Sequence, residues 1–225
     1  MISVAPSNGP AATRTPAAER VLLAGIDLFF KSGFLATTIR DVTSRCGLTP
    51  AAFYNHFESK ESLLATIVSE ANAILEAQID ALVLDDADPA GSLAALVQTL
   101  VTFNLTYPKQ ARIANREYVM LQPAQRKQVI DHRRRIRALF ERVLSSEKTA
   151  RGLVRPETTP APDELEIRLL AISILNISIA ASDWFHAEGP LNIAEFAETH
   201  GRLAVRMAGL TPPRRARRAP RAAQS

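Results

Sequence analysis

The stretch LTPAAFYNHFESKESL, residues 48–63, constrains the fold more than any other part of the chain. Two short helical segments, one ending at Gly47 and one beginning at Pro50, are separated only by Gly47, Leu48 and Thr49. Gly47 can end the first helix in left-handed backbone at little steric cost. Thr49 supplies a capping oxygen, and Pro50 suits the first helical position. A turn of about four residues containing Gly is what a helix-turn-helix requires. In that motif the second helix enters the major groove N-terminus first, which here presents Thr49, Pro50, Ala51 and Ala52. Phe53, Tyr54 and Phe57 follow, and so close a set of aromatics suits a core, a nucleic-acid face or a ligand box. Phe53 and Phe57, four apart, share a helix face and pack inward. Tyr54 needs a wet or polar partner for its hydroxyl. Tyr54 and His56 can reach phosphates, and so can Lys60, helped by the positive end of the helix that Ser59 caps.

The rest of the chain carries the same helical spacing. Pro16–Ser32 has Val21, Leu22, Ile26 and Phe29 near one face and Gly33 as its stop. Thr38 and Asp41 stand three apart, close to a capping box, before Ile39 and Val42. Leu63, Ile67, Ala71, Ile74 and Leu75 continue the helix capped by Ser59. Further helices read as Pro89–Tyr107, Lys109–Val119, Pro123 to near Gly152, Leu165–Phe185 and Asn192–Ala208. No strand pattern and no repeat emerges. The fold class is all-α, with about nine helices: an N-terminal three-helix helix-turn-helix unit (16–62) and a C-terminal helical unit (63–210). Residues 1–15 and the basic 211–225 read as disordered tails.

Composition narrows the function classes. One cysteine, Cys46, excludes a disulfide framework or Cys-rich zinc site, and the four histidines show no ligand spacing, so no metal and no cofactor are expected. The N-terminus lacks a secretory apolar core, and the longest uncharged run, Leu169–Ser182, is short for a bilayer, which points to the cytoplasm and no membrane. No nucleophile–base pair or phosphate loop marks an enzyme. Five arginines of the tail outweigh the whole formal charge of +4, leaving residues 1–210 slightly negative. The high pI is therefore a poor argument for nucleic acid, and the 16–62 unit balances five basic against five acidic side chains. Binding there rests on local geometry, helix ends and dimerisation.

Residues 37–64, TTIRDVTSRCGLTPAAFYNHFESKESLL, resemble the DNA-binding domain of TetR-family repressors. The shared features are Thr-x-Ile, the Gly turn, the Thr cap, the Phe-Tyr pair, His-Phe and the following Lys and Leu. ERVLLAGIDLFFKSGF is similar to that family's first helix. One departure is Ala51 where the family often has Gly, which brings a methyl toward the phosphate backbone. The resemblance implies DNA contacts from Thr38, Arg40, Thr49, Pro50, Ala51, Ala52, Tyr54, Asn55, His56 and Lys60. It also implies a second unit that binds an effector and dimerises.

The apolar helix 165–185 and the last helix would form a four-helix dimer interface, with Ile177, Phe196, His200, Leu203 and Met207. Pocket candidates are Phe103, Asn104, Tyr107, Arg116, Tyr118, Met120, Phe140, Asn176 and Trp184, each equally readable as core. Asn176 leads them, since an Asn amid Ile174, Leu175, Ile177 and Ile179 must hydrogen-bond to something. WFHAEGPL, residues 184–191, is similar to a segment of TetR regulators that respond to acyl-CoA thioesters, though Asp183 and His186 replace basic neighbours. The expected function is a ligand-responsive DNA-binding regulator, a repressor on a palindromic operator, acting as a homodimer released by a small, largely apolar effector. Coupling would run through the helix starting at Ser59. The alternative is a helical adaptor that binds only protein.

Overall fold

The computed structural model describes residues 14–146, 163–186 and 188–211. The basic tail from 212 onward, residues 1–13, the loop RPETTPAP and the expected helix end near Gly152 lie outside them. Among the described residues there are nine α-helices and no strand. These are α1 (Pro16–Ser32), α2 (Ile39–Cys46), α3 (Pro50–Tyr54), α4 (Lys60–Asp80), α5 (Pro89–Thr106), α6 (Pro108–Arg116), α7 (Pro123–Leu144), α8 (Glu164–Trp184) and α9 (Ile193–Met207). The expected 109–119 helix is instead α6 followed by a 3-10 turn over Glu117–Met120. The long helix is described over Pro123–Leu144, with Ser145 at its C-cap.

Caps set most of these boundaries. The Thr38 side chain accepts from the Asp41 N–H at 3.2 Å, and Asp41 Oδ2 accepts the Thr38 N–H at 2.8 Å. That closed box leaves few orphan groups at the start of α2. Ser59, Asp163 and Asn192 close the same box at α4, α8 and α9, while Thr49 caps α3 through its side chain alone, accepting from the Ala52 N–H. Thr15, read as part of the N-terminal tail, is the N-cap of α1, and Arg14 pairs with Glu19 and Glu70.

One core runs through the molecule. Val21, Phe29, Val42, Phe53, Leu63 and Leu64 close the N-terminal bundle, and Ile67 and Val68 carry that core along α4. A Cβ on Gly25 would lie 2.7 Å from Leu63 Cδ2, so α1 and α4 approach at a distance only glycine allows without repacking. In the C-terminal half, α5 is central, packed on α9 and α8 through buried Leu93, Leu96, Val97, Leu100 and Val101. Helix α6 bridges the halves, resting on α1 and α4.

Candidate nucleic-acid interface and effector cleft

Gly47 adopts φ 68° after α2, which turns the chain into Leu48 and Thr49 within two residues. The aromatics then divide. Phe53 is fully buried and Phe57 nearly so, with ring centroids 5.8 Å apart. Tyr54 is 57% exposed and stands edge-on to Phe53. Thr49, Pro50, Ala51 and Asn55 are exposed with it, while Ala52 and His56 are half-buried. Thr38 and Arg40 are exposed at the start of α2. Apolar anchoring from below and an open, small-residue upper face leave α3 free to meet a groove.

Lys60 differs from expectation. Its Nζ donates to the Phe34 carbonyl at 2.8 Å and the Thr37 carbonyl at 2.7 Å, and sits 4.3 Å over the Phe34 ring. The ammonium is committed to the α1–α2 turn, where it meets at close range the Thr37 carbonyl and the Phe34 carbonyl, which also accepts the Thr37 N–H at 3.3 Å. Lys60 thus clamps that turn with two of the three donor hydrogens its ammonium carries. Arg45 is likewise engaged: its Nη2 is 3.0 Å from Asp27 Oδ2, and Lys109 of α6 pairs with the other Asp27 oxygen. The Lys109 and Arg45 hydrogen bonds hold the Asp27 carboxyl below its ordinary pKa, against a smaller opposing effect of burial.

The expected pocket residues do not gather. Phe103 and Phe140 are buried core. Asn104 is buried, and its Nδ2 donates to the Leu100 carbonyl at 2.8 Å, one turn back on its own helix. Tyr107 is half-buried, packed on the Phe103 ring. Tyr118 and Met120 are half-buried, and the Arg133 guanidinium lies 3.9 Å over the Tyr118 ring. Arg116 is exposed, 3.5 Å from Asp183. Asn176 is exposed, so the premise that it sits in the core fails, because α8 turns that face outward. Trp184 packs on Phe196 and His200, at centroid distances of 5.0 and 5.1 Å, and so belongs to the α8–α9 contact.

A cleft that sequence reading did not single out lies between α4 and α7. Its volume is about 580 Å³, within the range of small-molecule sites. Ser62, Thr66, Ser69, Ala73 and Glu76 line it from α4, and Gln125, Gln128, Val129 and His132 from α7. Both sets recur at three- and four-residue steps, so a small-and-polar stripe on each helix was a readable signal. None of the nine expected pocket residues lines it. His132 is 9% exposed, and burial followed by the Arg133 charge lowers its pKa.

The dimerisation candidates also divide. Leu203, Ile177 and Met207 are 51%, 46% and 44% exposed. Phe196 and His200 are buried, stacked on each other at 4.5 Å, so they serve the core of this subunit and not an outer face. Leu165 and Leu169 extend the Ile177 stripe along α8. Helix α8 is long and apolar enough to cross a membrane by length and composition, yet Glu164, Glu166, Arg168 and Asp183 interrupt its ends and its other face packs on α5 and α7.

Comparison with known proteins agrees with this geometry. Residues 21–67 match the model of bacterial regulatory proteins of the tetR family, and residues 86–208 match the tetracyclin repressor-like C-terminal domain. The uncharacterized HTH-type transcriptional regulator YerO of Bacillus subtilis is 54% identical over 46 residues, 20% of this chain and 16% of that protein. The matched segment thus spans well under two thirds of that relative. A tetR-family regulatory protein from Rhodococcus RHA1 superposes with TM-score 0.74 at 28% identity, over 88% of this chain and all of that one. The fold of AibR in complex with isovaleryl coenzyme A and operator DNA matches with TM-score 0.68 at 20% identity, over 88% of this chain and 99% of that one. With a helix-turn-helix match at one end and a C-terminal match over more than half its length, the chain belongs to the TetR family of DNA-binding transcriptional regulators.

Proposed function

We propose that the chain is a cytoplasmic, homodimeric repressor that binds a palindromic operator through α2 and α3 and releases it when a small molecule occupies the helical half. The observation that carries this is the exposed face of α3. Thr49, Pro50, Ala51, Tyr54 and Asn55 are open to solvent directly above a fully buried Phe53. Residues 16–62 act as the DNA-binding unit and 63–210 as the effector and dimer unit. The exposed α8–α9 stripe, with Leu169, Ile177, Leu203 and Met207, supplies the two-fold contact that spaces two recognition helices along one duplex.

Helix α4 connects the activities. It starts beside the Phe34–Thr37 turn, which Lys60 clamps, and its Ser62–Glu76 face forms one wall of the cleft. A ligand seated there presses on the helix that carries the DNA-binding unit, and so can favour one separation of the recognition helices over another. The effector is largely apolar. Two observations lean toward a CoA thioester: the WFHAEGPL segment, and the likeness of fold to AibR, whose structure holds isovaleryl coenzyme A. The lining of the α4–α7 cleft, which carries no Lys or Arg, favours a different class.

Binding of the chain to its own upstream DNA tests the reading. A discrete shift that survives excess random duplex supports it. A shift abolished equally by random duplex, or none, favours the adaptor.

A further inference from the structure

The chemistry of the α4–α7 cleft is set by two buried atoms. Gln125 Oε1 and His132 Nε2 have no hydrogen-bond partner among the described groups. A buried polar atom left unpaired costs about 1–3 kcal/mol, so a pair of them on one wall of a cleft invites a ligand that satisfies both. The charges nearby are already matched. Glu70 is engaged by Arg14 and Glu76 by Arg135, and no Lys or Arg lines the cleft.

The tautomer of His132 follows from its other nitrogen. Nδ1 lies 3.4 Å from Arg135 Nη2 and 3.7 Å from Glu76 Oε2. The second distance is too long for a hydrogen bond, and an Arg nitrogen can only donate. Nδ1 is therefore assigned as the acceptor, which puts the ring hydrogen on Nε2. Burial and then the adjacent Arg133 charge lower its pKa, which favours the neutral ring. The wall thus offers one N–H donor and one amide oxygen acceptor. Val68, Leu121 and Val129 add apolar surface beside them.

We propose that this cleft is the effector seat and that it selects an uncharged amphipathic molecule with a hydroxyl or carboxamide head, and not an acyl-CoA. The head accepts from His132 Nε2–H and donates to Gln125 Oε1, while its apolar part covers Val68, Leu121 and Val129. A flip of the Gln125 amide exchanges acceptor for donor and leaves the class unchanged, since either head does both. A polyphosphate finds no cation in the lining, only two carboxylates. The assignment rests on the effector reading above.

The test uses the full chain and four probes that share an eight-carbon tail: octanamide, 1,2-octanediol, octanoate and octanoyl-CoA. Affinity for the protein alone is read by calorimetry, and release of the upstream DNA by fluorescence anisotropy. Octanamide and the diol are expected to bind at least about tenfold more tightly than octanoate or octanoyl-CoA. Gln125→Leu, similar in volume, should lose about tenfold of octanamide affinity while its ligand-free melting temperature holds or rises, because an orphaned acceptor has been removed. A merely structural Gln125 would change melting and leave affinity alone. Octanoyl-CoA binding most tightly, no probe binding, or unchanged octanamide affinity in Gln125→Leu would overturn the proposal. Failure of the wild type to shift its DNA would instead sink the repressor reading, and calorimetry reports on the cleft separately.

Discussion

The helix-turn-helix and the C-terminal helices contrast in where their information lies. From Thr38 to Ser59, each boundary is written in a residue within three positions of it: Thr38 with Asp41, Gly47, Thr49 with Pro50, Ser59. The exposed face of α3 follows from those caps and from Phe53 beneath it. In α8 and α9, local signals fix the helices but not their use. Ile177 and Ile174, three residues apart on one apolar helix, are 46% and 2% exposed. Only packing against α5 and α7 decides which of them faces out. Local chemistry therefore reads out a DNA-facing surface, whereas an interface or pocket is a property of neighbours.

The largest expected effect breaks the C-terminal half at its outer face. Ile177→Asp places a carboxylate on the stripe that should face a second copy. Dimer affinity should fall by roughly a hundredfold or more, about 3 kcal/mol, the scale of an interface anchor. Operator binding should fall with it, because a monomer presents one recognition helix. Analytical ultracentrifugation and circular dichroism together decide the point: a folded dimer with Asp at 177 moves the interface elsewhere. Phe196→Asp is a poor probe, since Phe196 is buried against Trp184 and Phe185 and the fold itself would fail.

The same contrast shows what was legible. The all-α class, the Thr38–Asp41 box and the inward Phe53 and Phe57 were readable, because caps and i, i+4 spacing act within one or two turns. Asn176 was misread because an Asn among isoleucines looks buried until the packed side of the helix is known. The Lys60 clamp was not legible for a related reason. Its partners, the carbonyls of Phe34 and Thr37, lie more than twenty residues away in sequence, and no local pattern points to them. The α4–α7 cleft needs two helices to be adjacent, and neither stripe alone forms a site.

Next in size is Lys60→Ala, which tests a place where the helix-turn-helix depends on a distant contact. Losing two charge-assisted hydrogen bonds to backbone should cost about 1.5–3 kcal/mol of stability. Melting should fall, and operator and random DNA affinity should fall together as the α1–α2 turn loosens. If melting is unchanged while the salt slope of binding drops by about one, the ammonium reaches a phosphate and the clamp is incidental. Tyr54→Phe is smaller. With the ring edge retained on Phe53, stability should hold, and operator affinity should drop by about 1 kcal/mol through the missing hydroxyl. Unchanged operator affinity at two salt concentrations would remove Tyr54 from the DNA face.

The smallest expected effect joins the two halves instead of separating them. Asp27 of α1 holds Arg45 of α2 with one oxygen and Lys109 of α6 with the other. These bonds lower its pKa in the folded state below the ordinary 3.8. The unfolded chain therefore takes up the proton first as acid is added. The contribution to stability is present above the ordinary value and is lost as pH falls through the folded one. Both cations are about half exposed, so water and salt screen the pairs, and the effect should stay below about 1 kcal/mol. Asp27→Asn should melt slightly earlier than the wild type at pH 7, and the gap should narrow at pH 3 and in high salt. A gap that ignores both pH and salt would show that Asp27 acts by packing, and that α6 and the helix-turn-helix are held together by apolar contact alone.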